Sequence, residues 1–147
     1  MAIKMKTIQW QSKEYYEGIA LRNQHLNQPS GLTLITDAPI QEELAIHLAA
    51  IIDQRVVGTL FLDNTDRENT AQIKQVAVSD AYRGMKIGQS LMAYAELIAR
   101  QQGYEEIFLT ARESAWLFYE KLGYESSGNT FIKSQGLILK PYIKRLQ

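Results

Sequence analysis

The sequence contains no cysteine. Disulfide bonds, thiolate nucleophiles and zinc sites built on cysteine are therefore excluded, and the absence fits a protein that works in a reducing compartment. Proline is also scarce, with 3 residues among 147, and no low-complexity tract or interdomain linker is visible. The sequence thus predicts one continuous domain over residues 1–147.

The chain also has no net charge, because its 16 basic and 16 acidic side chains give a formal charge of zero. Proteins that bind polyanions usually carry a basic excess, so nucleic acid is not expected as a partner. No apolar run approaches the roughly 18 residues of a membrane-spanning helix, and the first residues lack the apolar core of a signal peptide. We therefore expect a soluble, cytoplasmic protein without membrane association.

The order of apolar patterns predicts a mixed α/β fold. An alternating segment around Ile3 predicts a first strand, and Ser12 is suited to cap the helix that follows. The irregular segment from His25 to Glu43 is predicted as a loop. A predicted hairpin is followed by two strand–helix units and a closing pair of strands. The hairpin makes part of the sheet antiparallel. The predicted later strands are Leu44–Ile52, Arg55–Leu62, Ala71–Val78, Ile107–Leu109, Thr130–Ile132 and Leu137–Ile143, and the later helices end at Gly103 and Gly123.

The stretch Gln75–Met92 joins the end of a strand to the start of a helix through a basic loop. The first N–H groups of a helix have no internal acceptor and lie at the positive end of its dipole, so this loop suits a phosphate group. Arg83 and Lys86 add full charges beside it. An ordinary strand–helix connection is the alternative. The spacing of Gly84 and Gly88 excludes both the P-loop and the dinucleotide-binding fingerprint.

With these residues in view, the chain resembles the GNAT superfamily of acyl-CoA-dependent N-acetyltransferases over about residues 5–145. The segment from Arg83 to Gly88 is similar to the superfamily's pyrophosphate-binding motif, R/Q-x-x-G-x-G/A, with Lys86 where the central glycine is usual. The segment Phe118–Tyr124 is similar to its FYxxxGF element. Arg112 stands where asparagine is often found. A leucine- and arginine-rich opening and an Ala-Arg-Glu element further resemble one bacterial branch of the superfamily.

The resemblance implies an α/β fold with a mixed, splayed sheet of about six to seven strands and helices on both faces. It also implies acetyl-CoA as co-substrate, with its pantetheine arm paired along a strand edge and no metal. A backbone N–H near Ala77 or Val78 would stabilise the thioester oxygen. The residues implied for cofactor binding are Val76, Ala77, Val78, Arg83, Gly84, Met85, Lys86, Ile87 and Gly88.

Tyr119 is implied as the acid that protonates the leaving thiolate. The alternative is that Tyr119 is a packing aromatic residue beside Trp116. No general base is identifiable, since His47 lies inside an apolar run and is interpreted as a core histidine. His25 lies in the predicted loop, where a solvated position is expected.

The resemblance implies acetyl transfer to a small amine or a peptide amino group, by direct attack in a ternary complex. An acyl-CoA-binding sensor or interaction module of the same fold, without turnover, is the alternative. The acceptor is expected between the stretch from Arg22 to Glu43 and the regions near Asp63 and Gln135. A cationic amine would be attracted by the acidic residues Asp37, Glu42 and Glu43, although a mixed solvated loop is equally consistent. A homodimer is left open.

Overall fold

The computed structural model describes residues 2–82, 84–133 and 136–147, so Arg83 and Gln135 lie outside the described residues. The strands are β1 (Lys4–Ile8), β2 (Ile46–Ile52), β3 (Arg55–Asn64), β4 (Thr70–Val78), β5 (Glu106–Arg112), β6 (Glu125–Ser126), β7 (Phe131–Lys133) and β8 (Leu137–Arg145). The helices are α1 (Lys13–Arg22), α2 (Ile87–Gln101) and α3 (Trp116–Lys121). Short turns are π-helical over Asn23–Asn27 and 3₁₀ over Ile40–Glu42, Asp80–Tyr82 and Glu113–Ala115.

The described strands form one mixed sheet in the order β1-β2-β3-β4-β5-β8-β6, with β7 also paired to β8. Strands β4 and β5 are parallel, and the other recorded neighbours are antiparallel. The expected α/β class is confirmed. The sheet has eight strands rather than six to seven because the short strand β6 joins the seven predicted ones, and β7 corresponds to the predicted strand Thr130–Ile132, shifted by one residue.

Local sequence accounts for where the early elements begin and turn. The Ser12 hydroxyl accepts a hydrogen bond from the Tyr15 N–H at 3.1 Å, so it caps α1 as predicted. Strands β2 and β3 are joined at Asp53 and Gln54, whose φ angles are 49° and 67°. Two-residue hairpin turns favour positive φ, so the predicted hairpin forms although glutamine is not a preferred turn residue.

Helices α1 and α2 pack on opposite faces of β3. A methyl group placed on Gly18 of α1 would lie 3.0 Å from the Thr59 hydroxyl, and one placed on Gly58 would lie 3.1 Å from Ile87 of α2. Since successive strand residues point to opposite faces, the two helices enclose the sheet at this point. The larger core lies on the α2 side, and its most deeply buried members include Leu48, Leu60, Leu91, Met92, Ile107 and Leu109.

The segment predicted as a loop from His25 is in part helical. A π-helical turn continues α1 to Asn27, because the Gln28 N–H donates to the Asn23 carbonyl at 2.8 Å and the Asn27 amide donates to the Asn23 side chain at 2.9 Å. Strand β2 starts at Ile46, and Leu44 before it is 95% exposed. No helix within the described ranges is long and apolar enough to cross a membrane.

Candidate active site

Strands β4 and β5 lie side by side only at their beginnings. Their parallel pairing covers Thr70–Gln72 on β4 and Glu106–Phe108 on β5. Beyond this point β4 continues to Val78 and pairs with β3. Among the residues that the structure describes, no strand pairs with the other edge of β4 from Ile73 to Val78, so a gap opens between β4 and β5.

A β-bulge in β4 accounts for the gap. Thr59 of β3 lies opposite Ala77, whereas Phe61 lies opposite Lys74, so β4 has one more residue than β3 in this interval. Gln75 lies within the interval and has φ 58°. A bulge bends its strand and increases the local twist, which turns β4 away from β5. The sequence signals this only by two consecutive polar residues, Lys74 and Gln75, which interrupt the alternation of polar and apolar residues in β4.

The three predicted residues at the end of β4 use their side chains for packing. Ala77 is buried in a small cluster with Leu21, and Leu26 packs against that cluster. Val76 and Val78 are half-buried and pack against the larger core. What this strand end can offer a ligand is therefore its backbone N–H and C=O groups.

Two described residues of the loop before α2 have positive φ angles. Gly84 has φ +83°, with no atom within 4 Å of the position that its Cβ would take. Lys86 has φ 56° and ψ 39°, the left-handed conformation that glycine adopts without strain. Lysine at the usual glycine position thus keeps the glycine conformation, at a cost of about 1 kcal/mol. Met85 is half-buried and donates to the Tyr82 carbonyl at 3.4 Å, and Ile87 is buried in the core.

The first turn of α2 lies directly after this loop. The Ser90 N–H donates to the Lys86 carbonyl at 3.0 Å, and the Lys86 side chain makes no capping hydrogen bond to the helix. The N–H groups of Ile87, Gly88 and Gln89 therefore have no acceptor within the helix. Together with the helix dipole and the charge of Lys86, these groups make the site suitable for an anion.

Gly88 has a packing role that its place in the motif did not predict. A methyl group on Gly88 would lie 3.3 Å from the ring of Phe118 and 3.7 Å from a methyl group of Val78. The missing side chain therefore allows the start of α2 to approach both α3 and β4 closely. A larger residue here would shift Phe118, so a variant of Gly88 cannot separate ligand binding from packing.

Tyr119 lies in α3 within the larger core cluster and is 7% exposed. Its ring meets Phe118 and Tyr124 edge-on, with ring centroids 5.0 and 5.9 Å away. No hydrogen bond joins its hydroxyl to another residue in the part of the chain that the structure describes. Burial raises the pKa of Tyr119 to about 12, so the hydroxyl holds its proton at neutral pH.

The prediction that the charge of Glu42 helps to attract a cationic amine is wrong. Both Glu42 and Arg22 are buried, and the Arg22 guanidinium donates to the two carboxylate oxygens at 2.8 and 2.7 Å. The Tyr15 hydroxyl donates to the same carboxylate at 2.7 Å. The charge of Glu42 is therefore compensated inside the protein and does not attract a cationic acceptor. Glu43 and Asp37 are exposed, as the alternative of a solvated loop predicted.

His47 is a core histidine, as expected. It is buried, and its ring lies edge-on to Tyr15 with centroids 5.0 Å apart. Its Nε2 donates to the Glu42 carbonyl at 2.7 Å, and burial lowers the pKa of the ring. Within the described ranges, no three histidine, aspartate or glutamate side chains are grouped to hold a metal ion.

Arg112, at the position where asparagine is often found, extends toward the N-terminal segment. Its Nη1 donates to the Leu26 carbonyl at 3.0 Å and to the Ser30 hydroxyl. The sequence shows at this position only that the asparagine amide is replaced. The contact joins residues more than 80 positions apart, and no local pattern signals such a pair.

Comparisons with known proteins agree with this geometry. The model of the acetyltransferase (GNAT) family matches residues 5–124. Human N-acetyltransferase 8B is 30% identical over 123 residues, which cover 79% of this chain and 51% of the human protein. The chain thus spans about half the length of that relative.

Solved structures share the fold over the full chain. A proposed N-acetyltransferase from Lactobacillus plantarum superposes with a TM-score of 0.86 at 20% identity, covering 100% of both chains. A GNAT-family acetyltransferase from Staphylococcus aureus Mu50 gives a TM-score of 0.78 at 22% identity and covers 99% of this chain and 100% of its own. At these identities the likeness shows the fold.

Proposed function

The chain belongs to the acetyltransferase (GNAT) family, and on this premise we propose that it transfers the acetyl group of acetyl-CoA to an amine. The acceptor is a small amine or a peptide amino group, which attacks the thioester while both substrates are bound. The observation that carries the proposal is the gap between β4 and β5, next to the free N–H groups that begin α2. An acyl-CoA has a group that suits each of these features. The amides of its pantetheine arm can pair with the edge of β4, and its pyrophosphate can bind at the start of α2.

In this proposal the pyrophosphate contacts the loop formed by Arg83, Gly84, Met85 and Lys86 and the first turn of α2 at Ile87 and Gly88. The amides of the pantetheine arm pair with the backbone of Val76, Ala77 and Val78, as a strand adds to a sheet edge. Support comes from the packed side chains of this strand end, which leave the backbone as its binding surface.

The residues of this chain act at two points in the reaction. As the amine attacks, the thioester oxygen gains negative charge, and a backbone N–H near Ala77 or Val78 stabilises it. Tyr119 then gives its hydroxyl proton to the sulfur as the C–S bond breaks, and the proton that the amine loses on becoming an amide returns to Tyr119 through water. A thiol has a pKa of about 8.5, so transfer from a tyrosine at about 12 is uphill by about 5 kcal/mol.

Replacing Tyr119 with phenylalanine tests its role. We expect kcat to fall by about 100-fold while the Kd of acetyl-CoA, measured by calorimetry, stays near the wild-type value. Tyr124→Phe is the matched control, because it removes a hydroxyl from the same aromatic cluster. That hydroxyl donates to Glu96 at 2.9 Å, so its loss lowers stability and leaves kcat near wild type. Full activity of Tyr119→Phe would mean that Tyr119 only packs.

The activity itself is tested by incubating the protein with acetyl-CoA and a panel of amines. We expect release of the thiol together with the mass gain of one acetyl group on at least one amine. Acetyl-CoA binding without transfer to any amine would contradict the proposed activity and favour an acyl-CoA sensor. Absence of binding would contradict the assignment of the loop and the strand edge.

A further inference from the structure

The end of β5 is the point where two separate parts of the protein are anchored. The Ala111 carbonyl accepts a hydrogen bond from Trp116 Nε1 at 2.7 Å, which fixes the start of α3, the helix that carries Tyr119. The next residue, Arg112, donates from Nη1 to the Leu26 carbonyl and to the Ser30 hydroxyl. Two consecutive residues of one strand thus hold both α3 and the N-terminal segment.

The N-terminal segment from Asn23 to Ile35 depends on polar contacts for its position. Asn23 donates to the Ile35 carbonyl and accepts from the Ile35 N–H, both at 2.8 Å. Much of the segment is exposed, and Leu34 exposes 48% of its surface, so little apolar burial holds it in place. Removal of a charged hydrogen-bond donor should therefore loosen this segment more than it would loosen a packed element.

The same segment crosses the gap between β4 and β5. The side chain of Leu26 packs against the cluster that contains Ala77 of β4, while its carbonyl accepts from Arg112 of β5. Arg112 therefore connects β5 to a segment that rests on β4, across the interval where the two strands no longer pair. The segment lies with α1 and thus on the face of the sheet opposite α2.

We propose that Arg112 is a positioning residue, which holds Leu26–Ser30 across the gap as one wall of the acceptor site. This inference rests on the proposed function. The cofactor residues assigned above lie on β4, the loop and the start of α2, so the opposite face is where an amine reaches the same gap. Arg112 acts on the acceptor through the segment it holds and makes no contact with the cofactor in this arrangement.

The test compares Arg112→Met with Arg112→Lys. Methionine fills similar space without a donor, whereas the lysine ammonium has enough donors for both acceptors. Arg145→Met is the matched control, since it removes the same charge from the far, exposed end of the neighbouring strand β8. The probes are acetyl-CoA with tyramine, spermidine or a short peptide with a free amino group, and the amine with the highest wild-type turnover is used for kinetics.

We expect Arg112→Met to raise the KM of that amine by about tenfold, the ratio that loss of one charged hydrogen bond produces. The Kd of acetyl-CoA should stay within about twofold, and Arg112→Lys should recover part of the loss. Hydrogen exchange should quicken at Gln28 and Leu32, whose N–H groups are bonded within the segment. Arg145→Met should match wild type in each measurement.

Unchanged acceptor KM in Arg112→Met, or an equal loss for amine and acetyl-CoA, would overturn the positioning role. So would unchanged exchange at Gln28 and Leu32. A wild-type protein that acetylates none of the probes would instead contradict the proposed function, and this result is distinguished by the absence of turnover before any substitution is made. Thermal unfolding of each variant identifies a general loss of folding.

Discussion

Replacing Glu42 with glutamine measures how far the N-terminal segment depends on one buried ion pair. The Glu42 carboxylate accepts two hydrogen bonds from Arg22 and one from Tyr15, all between 2.7 and 2.8 Å. Burial alone would raise the pKa of Glu42, but the hydrogen bonds from Arg22 and Tyr15 outweigh it and the pKa is lowered. The fold therefore holds the charged form. Glutamine keeps the shape of the side chain but removes its charge and one of its two acceptor oxygens.

The expected loss follows from what remains buried. Removing one partner of a buried ion pair costs about 3–5 kcal/mol, because the other charge is left uncompensated. The Arg22 side chain stays buried, and its Nε already lacks a hydrogen-bond partner among the described residues. We therefore expect Glu42→Gln to lower the free energy of unfolding by about 4 kcal/mol, a large share of the 5–15 kcal/mol of a typical domain.

The neighbouring residue supplies the control. Glu43 is exposed, so Glu43→Gln makes the same chemical change and should alter the free energy of unfolding by less than about 0.5 kcal/mol. Urea unfolding followed by tryptophan fluorescence gives both values. A loss below about 1 kcal/mol for Glu42→Gln would refute the reasoning, since the pair would then behave as a solvated surface pair. The double variant Arg22→Met with Glu42→Leu should recover most of the loss, because no charge stays buried.

Two further predictions concern backbone strain and pH. Because Lys86 has φ 56°, Lys86→Gly should be more stable than Lys86→Ala by about 1 kcal/mol in urea unfolding, and the opposite order would show that the loop relaxes freely. Burial lowers the pKa of His47 in the folded state, so below about pH 6.5 the unfolded state binds the proton first and stability falls as pH drops, by at most about 1.4 kcal/mol per pH unit. Urea midpoints measured across this range should show a shallower decline in His47→Gln than in wild type.

Much of the fold was predictable because its signals are local. Alternating apolar residues, the serine before α1 and the two polar residues between Ile52 and Arg55 each determine a nearby element. Strand β7 was predicted with a shift of one residue, as Thr130–Ile132, whereas β6 was not predicted. The two residues of β6 are exposed, so they carry no alternation of buried and exposed positions.

The candidate site was predictable where a motif is contiguous and not where it depends on distant contacts. The strand, loop and helix from Val76 to Gly88 are adjacent in sequence, so their arrangement follows from local rules. The partners of Glu42 and Arg112 are set by the tertiary fold, over separations of 20 and 86 residues. The same limit explains Gly88, whose contact with Phe118 appears only after α2 and α3 are packed.

The short pairing of β4 with β5 also makes the sheet mechanically uneven. On one side β1 to β4 form a continuous antiparallel ladder, and on the other β5 continues into β8. Within the described chain, the two ladders are hydrogen-bonded to each other where β4 pairs with β5, at three residue pairs that form a seam. A force applied across the strands would open this seam before either ladder. A molecule that bonds along the free edge of β4 would lengthen the seam, so its occupancy would stiffen a far larger part of the protein than it touches.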